Sequence, residues 1–358
     1  MMSRKRSKLV IAKEKARVAP TDLERSEIKD FRKDVLKHYV RVYHWMKQIK
    51  GLLRTRQIQK VRYLSLPAAA ALDARLFVRE GLVEKLVDKP IPVVFCESEK
   101  KYFDILVDTY KDKHQAFYGK IEDIATNANS DQYGAFWGTF PIDVINLDFW
   151  GDIHTAKDVT NIFYAIDAII SHQKFLREAY ELWITWRAKP DRIANNVEKA
   201  YVDLIKQNIE DSNLKFGAEF GKHFPNQKPN ELDADDLVRI GFIKWILYVT
   251  KKEFSIIDKK NTRVLIYSRS DKDGSKYRIY NFLMRIKPYE SIAMPSPASE
   301  AAKFCEDKYA ASAQLCFGEP VDVDAEFRKL SKLKRGDLKK GLEALVKEYE
   351  SVRSSSLK

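Results

Sequence analysis

From Val61 onward the chain alternates short apolar runs with longer stretches whose apolar residues recur every third or fourth position. The runs are VRYLSL (61–66), PIPVVFC (90–96), AFYGKI (116–121), IDVINLD (142–148) and YELWITW (180–186). Between them Ala71–Leu86, Lys100–His114 and Asp158–His172 carry helical spacing. Short bounded runs predict buried strands, and their recurrence with helices between predicts consecutive βα units. Right-handed crossovers then bring the carboxyl ends of the strands to one edge, where open α/β sheets bind ligands. Two further runs, Thr262–Ser268 and Tyr277–Arg285, flank SDKDGS (270–275) and predict a hairpin with an Asp-Gly turn. The expected fold class is α/β: a doubly wound, mostly parallel sheet with a closing antiparallel β-hairpin, plus N-terminal and C-terminal helical extensions.

The flanks read differently. Residues 1–20 lack useful periodicity, and Thr21 begins a segment with a capping residue followed by acids in the first turn. From there to Gln59, Phe31, Val35, Tyr39, Val42, Trp45, Met46, Ile49 and Leu53 keep helical spacing, which predicts one or two amphipathic helices laid on a core. Residues 190–260 read as mainly helical, with Gly217–Asn230 as a loop around its two X-Pro pairs. Residues 288–325 read as irregular, and Ala325–Leu357 as a charged helix. Three regions follow: a basic tail and helical arm (1–60), an α/β domain (61–290) with a helical insertion at about 190–260, and a C-terminal segment (291–358).

Composition narrows the function classes. The longest apolar stretch, Phe242–Val249, is interrupted by Lys244 and falls far short of the roughly 20 residues of a membrane-spanning helix. The N-terminus lacks the apolar block of a secretory signal, and Cys96, Cys305 and Cys316 form no CxxC pair. A soluble, cytoplasmic protein without a structural metal is expected. Six histidines make no HExxH motif, and neither a phosphate-binding P-loop nor a GxSxG elbow occurs. Net charge is +13, and residues 1–60 hold 18 Lys and Arg against 6 Asp and Glu, so +12 of it lies in the arm. Such a segment is the footprint of a phosphate-backbone contact, which makes nucleic acid the expected partner, without excluding a protein partner.

Three acids punctuate the strand ends: Glu97 after VVFC, Asp123 after GKI and Asp148 closing VINLD. Each is either a helix cap or a ligand; together they suit a nucleoside-type pocket. The order of elements, the acid after VVFC and IDVINLDFWG (142–151) resemble class I S-adenosylmethionine-dependent methyltransferases over residues 60–290. Within that superfamily LDFWG (147–151) resembles the LDPFG-type loop of guanine-N2 tRNA methyltransferases, departing at Phe149, where those have proline. The resemblance implies S-adenosylmethionine as cofactor, with Glu97 on the ribose, Asp123 on the adenine side, and Ser65 and Asp73 at the methionine end. It implies Asp148 and Trp150 as the residues facing the methyl acceptor. The first loop, SLPAAAALD (65–73), has no glycine. That departure sustains an alternative, a catalytically silent methyltransferase-like subunit acting as binding partner or scaffold in a nucleic-acid-handling or defence complex. A small-molecule or protein methyltransferase is the third reading. Asn146 shares a strand face with Asp148, where it either meets ligand or closes a strand-edge hydrogen bond, and Asp143 reads as structural.

Overall fold

A computed structural model describes residues 34–67, 70–83, 93–110, 116–149, 153–154, 159–173, 176, 178–188, 193–210, 216–252, 255–270, 276–288 and 315–356. Among these, nine strands make one sheet: β1 Tyr63–Ser65, β2 Val93–Glu97, β3 Ala116–Tyr118, β4 Val144–Asp148, β5 Tyr180–Ala188, β6 Ser255–Ile257, β7 Arg263–Ser270, β8 Lys276–Pro288 and β9 Val321–Asp322. Their order is β3-β2-β1-β4-β5-β8-β7-β9, with β6 also on β8. Strands β1 to β5 are mutually parallel, and β8 runs antiparallel to β5, β6 and β7. The expected α/β class with its closing hairpin is therefore observed, and the sheet is compatible with a Rossmann-like fold.

The described helices are α1 Val35–Tyr39, continued through a π-helical stretch Val40–Trp45 into α2 Met46–Arg56; α3 Leu72–Arg79; α4 Lys100–Tyr110; α5 Ile121–Thr126; α6 Asp131–Trp137; α7 Val159–His172; α8 Asn195–Glu210; α9 Phe216–His223; α10 Ala234–Lys252; α11 Val323–Lys329; and α12 Lys332–Ser356. None of them is long and apolar enough to cross a membrane.

Alternation along the strands divides the core in two. Leu64, Val94, Cys96, Ile145, Leu147, Leu182 and Ile184 face α5, α7, α8 and α10. Tyr63, Val93, Phe95, Val144 and Trp183 face the opposite layer, made by α1 to α4 and α12. Both faces are covered, which is why the strands read as continuous apolar runs.

The segment from Val35 to Arg56 is part of this second layer. Tyr39, Val40, Trp45, Ile49 and Leu52 are buried against the sheet, with Trp45 stacked on Trp183 at 5.5 Å between centroids. A row of polar side chains on that face fixes its docking. Trp45 Nε1 donates to Asn281 Oδ1 at 2.9 Å, and Asn281 in turn donates to Thr185. Arg285, 1% exposed, donates to Glu181 at 2.6 Å and to the Gln48 carbonyl at 3.1 Å. Gly51 sits where a Cβ would lie 3.1 Å from the Arg285 guanidinium, so a glycine inside α2 serves close approach. Arg56 pairs with Asp143 at 2.6 Å and also with Glu178.

Three expectations are corrected. The loop expected over 217–230 begins as helix α9, because Phe216 and Phe220 share one buried face and Gly217 lets the backbone approach the Ile209 carbonyl, 2.8 Å from where a Cβ would be. The C-terminal helix is two, broken at Leu330–Ser331, and the region read as irregular contains the two-residue strand β9.

Candidate functional site

Strand order reverses between β1 and β4, and ligands of open α/β sheets bind at the carboxyl end of such a switch point. Register there sets Ser65 opposite Asn146. Ser65 Oγ donates to Asp73 Oδ2 at 2.8 Å, and the Tyr63 hydroxyl donates to the same oxygen. Asn146 Nδ2 donates to the Tyr63 hydroxyl oxygen at 2.7 Å and to Asp73 Oδ2 at 3.2 Å. All four side chains are buried. Asn146 Oδ1, fully enclosed, has no hydrogen-bond partner among the described residues, an unmet acceptor worth roughly 1–3 kcal/mol. Burial, then the Asp73 carboxylate, push the Tyr63 phenol well above its usual range, so it remains a donor.

Asp73 reaches this cluster from the first turn of α3, and the turn before it is left-handed at Ala71, with φ 40° and ψ 48°. A glycine-free loop thus still takes the left-handed conformation, at a steric cost of about 1–2 kcal/mol. Strain of this kind clusters at ligand sites. Ala68 and Ala69 lie outside the described residues.

The other expected residues spread along the same edge. Glu97 ends β2, is 8% exposed, and accepts the Glu99 backbone N–H at 2.8 Å. Asp123 lies in the first turn of α5, exposed, one strand further out. Asp148 ends β4 on the same face as Asn146 and is held in an ion pair with Lys37 from α1. Trp150 lies outside the described residues. Ser65, Asp73 and Asn146 therefore form one cluster; Glu97, Asp123 and Asp148 stand apart from it.

Sequence reasoning missed Tyr63 and Lys37. Tyr63 sits two positions before Ser65, hence on the same strand face, and that period was the available signal. Lys37 has no local signal, because its partner is 111 residues away. His154 is buried, with Nδ1 3.1 Å from the Tyr201 hydroxyl oxygen. Asp143 is structural: burial opposes its ionisation, yet hydrogen bonds from Arg62 and Arg56 outweigh that and keep its carboxyl below the usual range. Arg187 lies over the Tyr277 ring at 3.8 Å.

On the outer side of α2, Val42, Tyr43 and Leu53 with Lys47, Lys50 and Arg54 line a groove of about 560 Å³. The three cations and Tyr43 are exposed there. Aromatic and cationic groups side by side provide a stacking surface and phosphate contacts.

Residues 109–335 match a family model described as PP_RS20740-like. No curated protein matches the chain.

Proposed function

The chain belongs to the PP_RS20740-like family, and we propose that its α/β domain binds S-adenosylmethionine at the β1–β4 crevice and transfers a methyl group to a nucleic-acid base. The observation that carries this reading is the Ser65–Asp73–Tyr63–Asn146 cluster at the switch point, with a buried acceptor, Asn146 Oδ1, left unpaired. The residues present fit the cofactor. An α-amino group carries N–H donors that need acceptors, and Asn146 and Asp73 supply them. A ribose needs a carboxylate for its hydroxyls, and Glu97 stands at the end of the neighbouring strand; Asp123, further out, belongs to the adenine side.

When bound, the cofactor supplies an electrophilic methyl group, and the protein's work is alignment. Asp148 is the acceptor-side carboxylate, and Trp150, two residues later in the sequence, is its partner on the acceptor side. An amine approaching Asp148 takes the place of Lys37 Nζ, donates its N–H to the carboxylate, and passes it a proton as the nitrogen becomes cationic. The groove with Lys47, Lys50 and Arg54 holds the phosphate backbone, and cytoplasmic nucleic acid is the substrate class.

A second reading has its own observation. Asp148 is already ion-paired and Asp73 already accepts from three protein donors, as expected of a silent binding or scaffold subunit whose polar groups satisfy one another. Calorimetric titration of ligand-stripped protein with S-adenosylhomocysteine separates the two. The enzyme reading expects binding that Glu97→Ala weakens tenfold or more. A folded protein that gives no heat at high concentration abandons cofactor binding for the silent subunit.

A further inference from the structure

Along the N-terminal helix the charged side chains that face the sheet edge are paired, with one exception. Asp34, Lys37 and Arg41 fall at three- and four-residue steps, so they share a helix face at the carboxyl edge of β4 and β7. Asp34 pairs with Arg269 of β7 at 2.7 Å, and Lys37 pairs with Asp148 of β4. Arg41, 8% exposed, has neither: among the described residues its Nε and Nη1 are buried without a hydrogen-bond partner. It lies in the π-helical stretch Val40–Trp45, a distortion of the helix often found at functional sites.

The cations here outnumber the acids. Lys37, Arg41 and Arg269 gather with Asp34 and Asp148, and each acid already holds a cation. Arg79 is also within electrostatic reach of His38. His38 adds no charge, because burial, then Arg41 and Arg79, bring its imidazole down to about 3, and its Nδ1 is likewise unpartnered among the described residues. An arginine keeps its proton, so a guanidinium with two buried nitrogens that lack an acceptor among the described residues is a costly arrangement for structure alone. Its fork of N–H donors matches the paired oxygens of a phosphate.

We infer that Arg41, flanked by Lys37 and Arg269, forms a binding site for a phosphate group, set beside Asp148 at the carboxyl edge of the sheet. The inference rests on the functional reading above solely for the source of that phosphate, the acceptor nucleotide. A phosphate bound here brings its nucleoside next to Asp148, and its charge competes with Asp148 for Lys37, freeing the carboxylate as the substrate arrives.

Thermal unfolding in inorganic phosphate, against chloride at equal ionic strength and without cofactor, tests the site. Phosphate stabilises proteins generally by exclusion from their surface, so the difference between parent and variant is what reads the site. The parent is expected to gain several degrees more than Arg41→Met, and Arg41→Met in chloride is expected to melt no lower than the parent, since it removes an uncompensated charge. Arg41→Lys, which keeps the charge without the fork, is expected to lose at least half of the excess gain, and it decides the matter should Arg41→Met not fold. Equal gains in parent and foldable variants overturn the inference and leave Arg41 a hydrated structural residue. Repeating the titration with guanosine 5′-monophosphate and with an oligonucleotide lacking terminal phosphates distinguishes a monoester from a backbone diester. Because no cofactor is present, failure here leaves the S-adenosylhomocysteine result standing, and the converse holds.

Discussion

His154 lies within a cage of Phe163, Trp186, Tyr201 and Phe242, and that burial holds its imidazole down to about 3. His38 is depressed to about the same value beneath α12. In the unfolded chain both titrate near 6.5. Below that pH the unfolded state takes up protons that the folded state refuses, so stability is full above 6.5 and declines as the pH falls toward 3. Each histidine accounts for on the order of 5 kcal/mol across the full interval. In urea titrations between pH 7 and pH 4.5, His154→Gln is expected to remove roughly a third to a half of the histidine-driven decline, since His44, also lowered chiefly by burial, carries a share. A variant curve parallel to the parent's would mean that the folded protein protonates this ring. Glu181 shows the opposite sign on the same scale: burial raises its carboxyl to about 7 against the pull of Arg285. These residues carried no sequence signal, since an isolated histidine or glutamate in an apolar run looks the same whether its partner is water or a buried ring.

Helix contacts explain which elements were legible. Strands β1 to β5 declared themselves because both sheet faces are covered, leaving six- or seven-residue runs rich in apolar residues between polar breaks. Helix α9 did not, since two glycines and nearby prolines imitate a loop. Gly217 is there for approach to the Ile209 carbonyl, and Gly241 in α10 plays the same part against α8, where an added Cβ would lie 2.2 Å from Tyr201 Cγ. Gly221 meets nothing within 4 Å. The two therefore separate by sign. Gly241→Ala is expected to lose about 1–3 kcal/mol through overpacking, whereas Gly221→Ala gains up to about 1 kcal/mol from helix propensity alone. Chemical denaturation of both variants measures this; a stabilised Gly241→Ala would show that α8 and α10 are further apart than described. Strand β6 was missed for the plainer reason that three residues carry no usable period.

On the scale of the whole molecule, the placement of +12 in residues 1–60 pointed to a partner, but it could not reveal how much of that charge the protein itself consumes. Lys37 and Arg56 are spent on Asp148 and Asp143, and Arg41 is buried. These pairings join residues about a hundred positions apart, so they are invisible to any local reading, as is the Ser65–Asp73–Asn146 cluster until β1 and β4 are placed side by side. Lys47, Lys50 and Arg54 remain exposed in the groove beside Tyr43. If that groove carries the phosphate backbone, each lost cation reduces the slope of log affinity against log salt by about 0.7 for single strands and about 0.9 for duplex. Replacing all three by Gln is expected to lower the slope by roughly 2 to 3 in total, weakening binding about equally for every sequence. Tyr43→Ala removes stacking instead, so it should weaken single strands by about 1–3 kcal/mol while leaving the salt slope intact. Filter or anisotropy titrations over a salt series distinguish these outcomes. An unchanged slope in the triple variant would move the nucleic-acid contact off the helix, to a basic surface elsewhere on the chain.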